Sequence, residues 1–382
     1  MSYLDAAATT PVRREVLEAM WPYLTTSYGN PSSHHEVGEA AARGLEAARR
    51  TVADILGARP AEITFTSGGT EGANTAIKGI ALARPRGRHV IVSAVEHPAV
   101  LESARWLGRL GYDVTELEVD DDGRVAPAAL AAALRPDTTL VSIQYANNEV
   151  GTIQPIAELT AVARAQDVPF HTDAVQAAGW LDLDVGRLGV QALSLSGHKV
   201  GAPKGIGVLY VGRRTPVEPL IHGGGQQRGL RSGTEDVAGA VGMATALRLA
   251  RTADPDPVRA RRDAFVARVE QELSGVHLTG HRFDRLPGHA SFVLPGVSGE
   301  SVLLDLERRG VICSSGSACA AGSDEPSHVL TAMGIPAETA QTALRFTFES
   351  DLTDEALDQA ADELVAAVTG RVPVASPGWN PR

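Results

Sequence analysis

Short runs of β-branched and aliphatic residues recur along the first two-thirds of the chain, separated by alanine-rich stretches of helical length. The runs predict strands over residues 62–66, 89–93, 113–117, 139–144, 169–172, 192–196 and 207–210. The stretches between them predict helices, among them 70–84, 99–110, 127–133 and 156–166. Strand and helix alternating over about 150 residues imply an α/β fold with a mainly parallel seven-stranded sheet. Parallel crossovers put helices on both faces of such a sheet. Its ligands bind at the carboxyl ends of the strands.

The pattern changes near residues 252–258, where Asp254, Pro255 and Pro257 interrupt it. Beyond lie a helix, strands around 289–293, another helix, a strand around 343–348 and a terminal helix, which predict a smaller α+β domain from about 255 to 370. A length of 382 residues suits a large domain with a smaller one beside it. Composition is near the globular average, with 43% hydrophobic and 21% charged residues, so a folded chain is expected. The net charge of −11 argues against direct binding to nucleic acid or to an anionic membrane, both of which call for clustered Lys and Arg. The first residues show no apolar core flanked by positive charge, and no run of 18 apolar residues occurs anywhere. A cytoplasmic protein is therefore expected. The two cysteines, Cys313 and Cys319, do not make a disulfide framework.

Several strand ends carry residues with chemistry. After the 62–66 strand, Gly68, Gly69, Thr70 and Glu71 lead into a helix, whose first N–H groups and partial positive charge form a plausible phosphate cradle. Taken alone, an ordinary Ser or Thr cap also accounts for it. Asp173 stands where the 169–172 strand ends and could hold a ring nitrogen protonated, or simply cap the next segment. Lys199 follows the 192–196 strand at once. Desolvated there it could form a Schiff base, with Ser196 and His198 as phosphate donors, although a solvated loop lysine is the plainer reading and Lys204 is a rival amine. The 26 residues from Asp173 to Lys199 fit two strands and a connection, ending at one edge of the sheet. His97, after the 89–93 strand, could stack on an aromatic cofactor or be a surface-loop histidine. Cys319 lies among Ser, Gly and Ala, which favours an accessible, reactive thiol on a loop, whereas Cys313 after Val311 and Ile312 reads as a small buried residue. Arg345 sits in an apolar strand and needs an anion, either a substrate carboxylate or an internal salt-bridge partner.

Taken together these motifs, with Asp5 to Thr10, Gly29 to Ser33, Asn147 to Thr152, and Arg231 to Thr234, occur in an order that resembles the class V aminotransferase family, and within it the cysteine desulfurases of the NifS/IscS type. The resemblance implies a pyridoxal-phosphate-dependent enzyme of the aspartate aminotransferase-like fold (fold type I). It implies a large domain over 13–254 and a small domain made of 1–12 and 255–382, the latter carrying a cysteine loop at about 314–327. By the same resemblance Lys199 would bond the cofactor aldehyde, Asp173 would pair with the ring nitrogen and Gln176 with the ring hydroxyl, and His97 would stack on the ring. Gly69, Thr70, Ser196 and His198 would hold the phosphate, with Thr234 reaching the phosphate of a neighbouring subunit in a homodimer. Asn148 would hold substrate and ring hydroxyl, and Asn30 and Arg345 the substrate carboxylate. Cys319 would take sulfur from L-cysteine as a persulfide and hand it to an acceptor protein serving iron–sulfur, thio-cofactor or tRNA synthesis. No resident metal is implied, although Cys319 could join a [2Fe–2S] cluster shared with a partner. A selenocysteine lyase or another class V aminotransferase is the alternative. Ala320, Ala321 and Glu349 depart from common patterns of these relatives, and the acceptor stays open.

Overall fold

A computed structural model of the chain describes residues 1–83, 86–251, 254–316 and 325–369. A short strand β1 (Ser2–Tyr3) precedes seven strands: β2 (Ile63–Thr66), β3 (His89–Ser93), β4 (Asp113–Leu117), β5 (Thr138–Ser142), β6 (Phe170–Asp173), β7 (Ala192–Ser196) and β8 (Gly207–Val211). These seven form one sheet in the order β2-β8-β7-β6-β5-β3-β4. Each predicted strand is present within two residues of its expected bounds. Only β8 runs against the others, pairing antiparallel with both β2 and β7. The mainly parallel sheet expected from the sequence is therefore found, with one reversal that the hydrophobic pattern does not show.

The period-two alternation of the strands decides what covers each face. Ile91, Leu193, Leu195 and Val208 point into one buried cluster, shared with Val52, Leu56, Leu159 and Met243 of helices Glu36–Leu56, Ile156–Arg164 and Val237–Ala250. Val90, Val92, Ala192 and Leu209 point into the other, against Ile77 and Ile80 of helix Gly69–Ala83 and Leu107 of helix Pro98–Arg109. Both faces are dry, as a parallel sheet requires.

The rest of the chain builds β9 (His277–Leu278), β10 (His289–Val293), β11 (Val311–Ile312) and β12 (Leu344–Thr347). Strands β12-β10-β9 make an antiparallel sheet, and β11 pairs with β1. A separate cluster packs Phe292 and Phe346 against Phe265 of helix Pro255–Glu272, with ring centroids 6.2 and 5.3 Å apart, and takes in Leu364 of helix Asp354–Thr369. Leu4 belongs to this cluster although it stands at the opposite end of the chain. Residues 2–10 thus run along the small sheet and continue to the main one: Thr347 N–H donates to Leu4 O (2.8 Å), and Thr10 N–H to His198 O (2.9 Å).

Candidate active site

A cavity of about 380 Å³ opens where β6 and β7 end, a volume suited to a small ligand. Its lining includes Gly69, Thr70, His97, Asn148, Asp173, Gln176, Ser196, His198, Lys199 and Arg345. Ten of the residues singled out from the sequence therefore meet in one space. Asn30 and Thr234 do not join them: both are exposed, and Asn30 Oδ1 accepts from Ser32 N–H (2.9 Å). Lys204, the rival amine, is also exposed and outside the lining. Cys319 and most of the 314–327 loop lie outside the described residues. Among the described residues no cluster of three or more His, Cys, Asp and Glu could hold a metal ion.

Each side chain is placed by a simple local cause. Helix Gly69–Ala83 begins as the turn after β2 closes, so its first N–H groups face the cavity without intrahelical acceptors. Glycine suits this position, because a Cβ at Gly69 would stand 2.7 Å from Val175 Cγ2 and that methyl would have to shift. Asp173 is the last residue of β6, and its Oδ1 accepts from Val175 N–H (2.9 Å). Burial pushes its carboxyl up to about 6, against the pull of that N–H and of Lys199. A carboxyl held at this value gives up its proton less readily than an exposed one, and a cation placed beside it would bring it back toward the ordinary range. Lys199 closes a short 3₁₀ turn, Gly197–Lys199, directly after β7. Its Nζ donates to Ala8 O (2.6 Å) and to Ala7 O. Gln176 Nε2 donates to the same Ala7 O (3.0 Å).

His97 caps helix Pro98–Arg109, its Nδ1 accepting from Ala99 N–H (3.1 Å). Burial lowers its imidazole below the ordinary value, and Lys199 adds to the effect. Burial likewise takes His198 down to about 4, with Lys199 and Lys204 contributing, and its Nδ1 lies 3.2 Å from Thr9 Oγ1. Both rings are therefore neutral at physiological pH. Arg345, in β12, is 2% exposed. Its Nη2 pairs with Asp5 Oδ1 (2.6 Å), and its Nη1 donates to Asn148 O (2.9 Å) and Gly316 O (3.2 Å). Of the two anions considered from the sequence, the structure supplies the internal one, and Arg345 still lines the cavity. Cys313 is largely enclosed; burial, with Asp5 adding, pushes its thiol up to about 12, which keeps it protonated and poorly nucleophilic.

Sequence reasoning missed the contributions of the backbone. The carbonyls of Ala7 and Ala8 that hold Lys199 leave no signature in residue type, and neither do Ala146 and Gly316 in the lining. The arrangement can hold an anion at the Gly69–Thr70 helix start, a protonated ring nitrogen at Asp173, a carbonyl carbon at the Lys199 amine and a carboxylate at Arg345.

Comparison with known proteins agrees with this chemistry. The Aminotransferase class-V family model matches residues 2–359. The chain is similar to a cysteine desulfurase IscS of Dictyoglomus turgidum, 49% identical over 95% of this chain and 93% of that one. It is similar to an IscS-like cysteine desulfurase of Mycobacterium tuberculosis, 47% identical over 96% of each. Among solved structures, a NifS-like protein superposes with a TM-score of 0.90 at 36% identity, covering 97% of this chain and 99% of that one. SspA in complex with cysteine superposes with a TM-score of 0.82 at 38% identity, covering 91% and 99%. The fold is thus the one these solved structures share.

Proposed function

We propose that this chain, which belongs to the class V aminotransferase family, is a cysteine desulfurase: it converts L-cysteine to L-alanine, takes the sulfur onto Cys319 and passes it to an acceptor protein. The observation that carries the reading is one cavity holding the Lys199 amine, the buried Asp173 acid, the Gly69–Thr70 helix start and the Arg345 guanidinium. The residues present fit pyridoxal phosphate. Gly69, Thr70, Ser196 and His198 would hold its phosphate, Asp173 its ring nitrogen, Gln176 and Asn148 its ring hydroxyl, His97 its ring face and Lys199 its aldehyde. The buried acid at Asp173 supports that fit, since burial makes its charge costly and a protonated pyridine nitrogen is a cation that would offset that cost. When bound, the cofactor supplies an aldehyde that bonds amines and a ring that accepts an electron pair.

The chain's own groups do the rest. Arg345 takes the α-carboxylate of cysteine, with Asn148 beside it, which fixes the Cα–H bond toward Lys199. Lys199 Nζ removes that proton and later returns one. The Cys319 thiolate attacks the substrate sulfur: an S–S bond forms, the Cβ–S bond breaks, and the electron pair left on Cβ is protonated to give the methyl group of alanine. Cys319 keeps a persulfide, which an acceptor thiol removes. Gly316, three positions before Cys319, lines the cavity, so the tether between them is short.

The same reading divides the chain into a large domain (13–254) and a small one (1–12 with 255–382), supported by the separate buried clusters under the two sheets. It makes the enzyme a cytoplasmic homodimer in which Thr234 serves the partner's phosphate site and Asn30 the substrate carboxylate. An exposed apolar face with Leu17, Trp21, Leu24 and Tyr28 supports the dimer. No helix among the described residues is long and apolar enough to cross a membrane.

Sulfide release from L-cysteine in the presence of a reductant tests the reading. Cys319→Ala abolishes it, with mass spectrometry finding the extra sulfur on Cys319 of the unmutated protein. Cys313→Ala leaves it unchanged, because that thiol is protonated. Undiminished release from Cys319→Ala would favour an aminotransferase or a selenocysteine lyase instead.

A further inference from the structure

Arg345 is almost wholly buried and permanently charged, so it needs a counter-ion within the protein. Two of its acceptors, the carbonyls of Asn148 and Gly316, are neutral. Among the described residues Asp5 is the carboxylate paired with it, at 2.6 Å, while Arg345 Nε is buried with no hydrogen-bond partner. Three of the five guanidinium N–H donors are engaged in this way. Asp5 is itself held fast. Leu4 N–H donates to Ile312 O (2.7 Å), Ala6 N–H to Thr347 O (3.0 Å) and Ala7 N–H to Thr347 Oγ1 (2.9 Å). Backbone bonds on both sides of Asp5 fix its main chain beside Arg345, so its carboxylate stays within reach of the guanidinium when a second carboxylate arrives.

We propose that Asp5 is a positioning and affinity-setting residue of the site: it orients Arg345 before substrate arrives and, by remaining paired with it, weakens the grip of Arg345 on the α-carboxylate of the entering amino acid. The inference rests on the reading of Arg345 as the substrate-carboxylate site. Two carboxylates on one guanidinium repel one another, and each receives less of its charge. Substrate and product carry the same carboxylate, so a lone buried arginine would hold alanine as firmly as cysteine and slow its departure. Asp5 offsets that.

Asp5→Asn keeps an oxygen for Arg345 Nη2 to donate to and removes the charge. In the cofactor-loaded enzyme it lowers KM for L-cysteine and the dissociation constant of L-alanine together, each by about fivefold or more. The alanine titration is read from the cofactor absorbance without turnover. Unchanged or raised values of both in a variant that melts cooperatively overturn the proposal. Arg345→Gln separates the two readings: an unchanged alanine affinity there sinks the assignment of Arg345 itself, whatever Asp5 does. Should Asp5→Asn not fold, the unmutated enzyme still decides. With Asp5 offsetting the charge, L-alanine binds less than about tenfold more tightly than L-alaninamide, whereas a preference of about a hundredfold or more shows an uncompensated Arg345.

Discussion

Two parts of the cavity wall are made in different ways. On the sheet side, Asp173, Ser196, His198 and Lys199 act through their side chains, each within a few residues of a strand end. Their positions follow from the register of β6 and β7, in which Asp173 lies opposite Ser194. On the other side, Ala7, Ala8, Gly316 and Arg345, the last paired with Asp5, come from the two ends of the chain, and most act through backbone carbonyls. The sheet side is rigid because β6 and β7, which carry it, are buried on both faces. The other side is as firm as the hydrogen bonds joining residues 4–10 to β11, β12 and the Gly197–Lys199 turn. The sheet side therefore sets which chemistry occurs, and the terminal side sets how substrate and the lysine amine are held.

Substitutions on the sheet side sharpen the contrast most. Lys199→Ala removes both the amine that bonds the cofactor and the base, and sulfide release falls by at least about 10³-fold, read in single-turnover assays with added cofactor. A residual rate above a tenth of the original would break the division of labour.

Asp173→Asn gives the next largest effect, with opposite signs in two states. In the loaded enzyme, turnover drops by about 10²-fold or more, since an amide cannot hold the ring nitrogen protonated. In the cofactor-free protein the same change stabilises. The folded carboxyl titrates near 6, above the ordinary value of 3.8, so the folded state binds the proton more tightly than the unfolded state. Stability is then highest at low pH and is lost as pH rises from about 4 to 6, by up to ~3 kcal/mol. The melting-temperature gap between Asp173→Asn and the unmutated cofactor-free protein widens over that window and is smallest near pH 4.

On the terminal side the effect is smaller and falls on binding. Thr347→Val removes the acceptor of the buried Ala7 N–H, costing about 1–2 kcal/mol in denaturant titrations. KM for cysteine shifts a few-fold while kcat changes little. A loss of kcat as large as that of Asp173→Asn would mean that both sides serve the chemistry equally.

Much of the sheet side was legible in the sequence. Strand runs and glycine turns are local signals, and the chemistry stands just past them, so position made Asp173 and Lys199 candidates beside plainer readings, and the order of the motifs, resembling the class V aminotransferases, chose between them. Arg345 was legible only as a charge in an apolar strand that needs an anion. Its partner in the structure is Asp5, 340 positions away, and no local pattern links the two. The reversal of β8 was hidden as well, because parallel and antiparallel strands in a buried sheet share the same apolar composition.

The amino-acid order alone determined the α/β alternation, the change of pattern near residue 254 and the residues able to bond an amine, an anion or a ring. Those depend on side-chain type and short-range spacing, which a one-dimensional string contains. Only the tertiary structure decided which groups meet: that the first ten residues cross from the small sheet to the main one, that two alanine carbonyls hold a lysine, and that an aspartate shares the arginine. Backbone carbonyls are identical in every residue, and long-range pairing is set by packing across the whole molecule, so neither leaves a trace until the chain has folded.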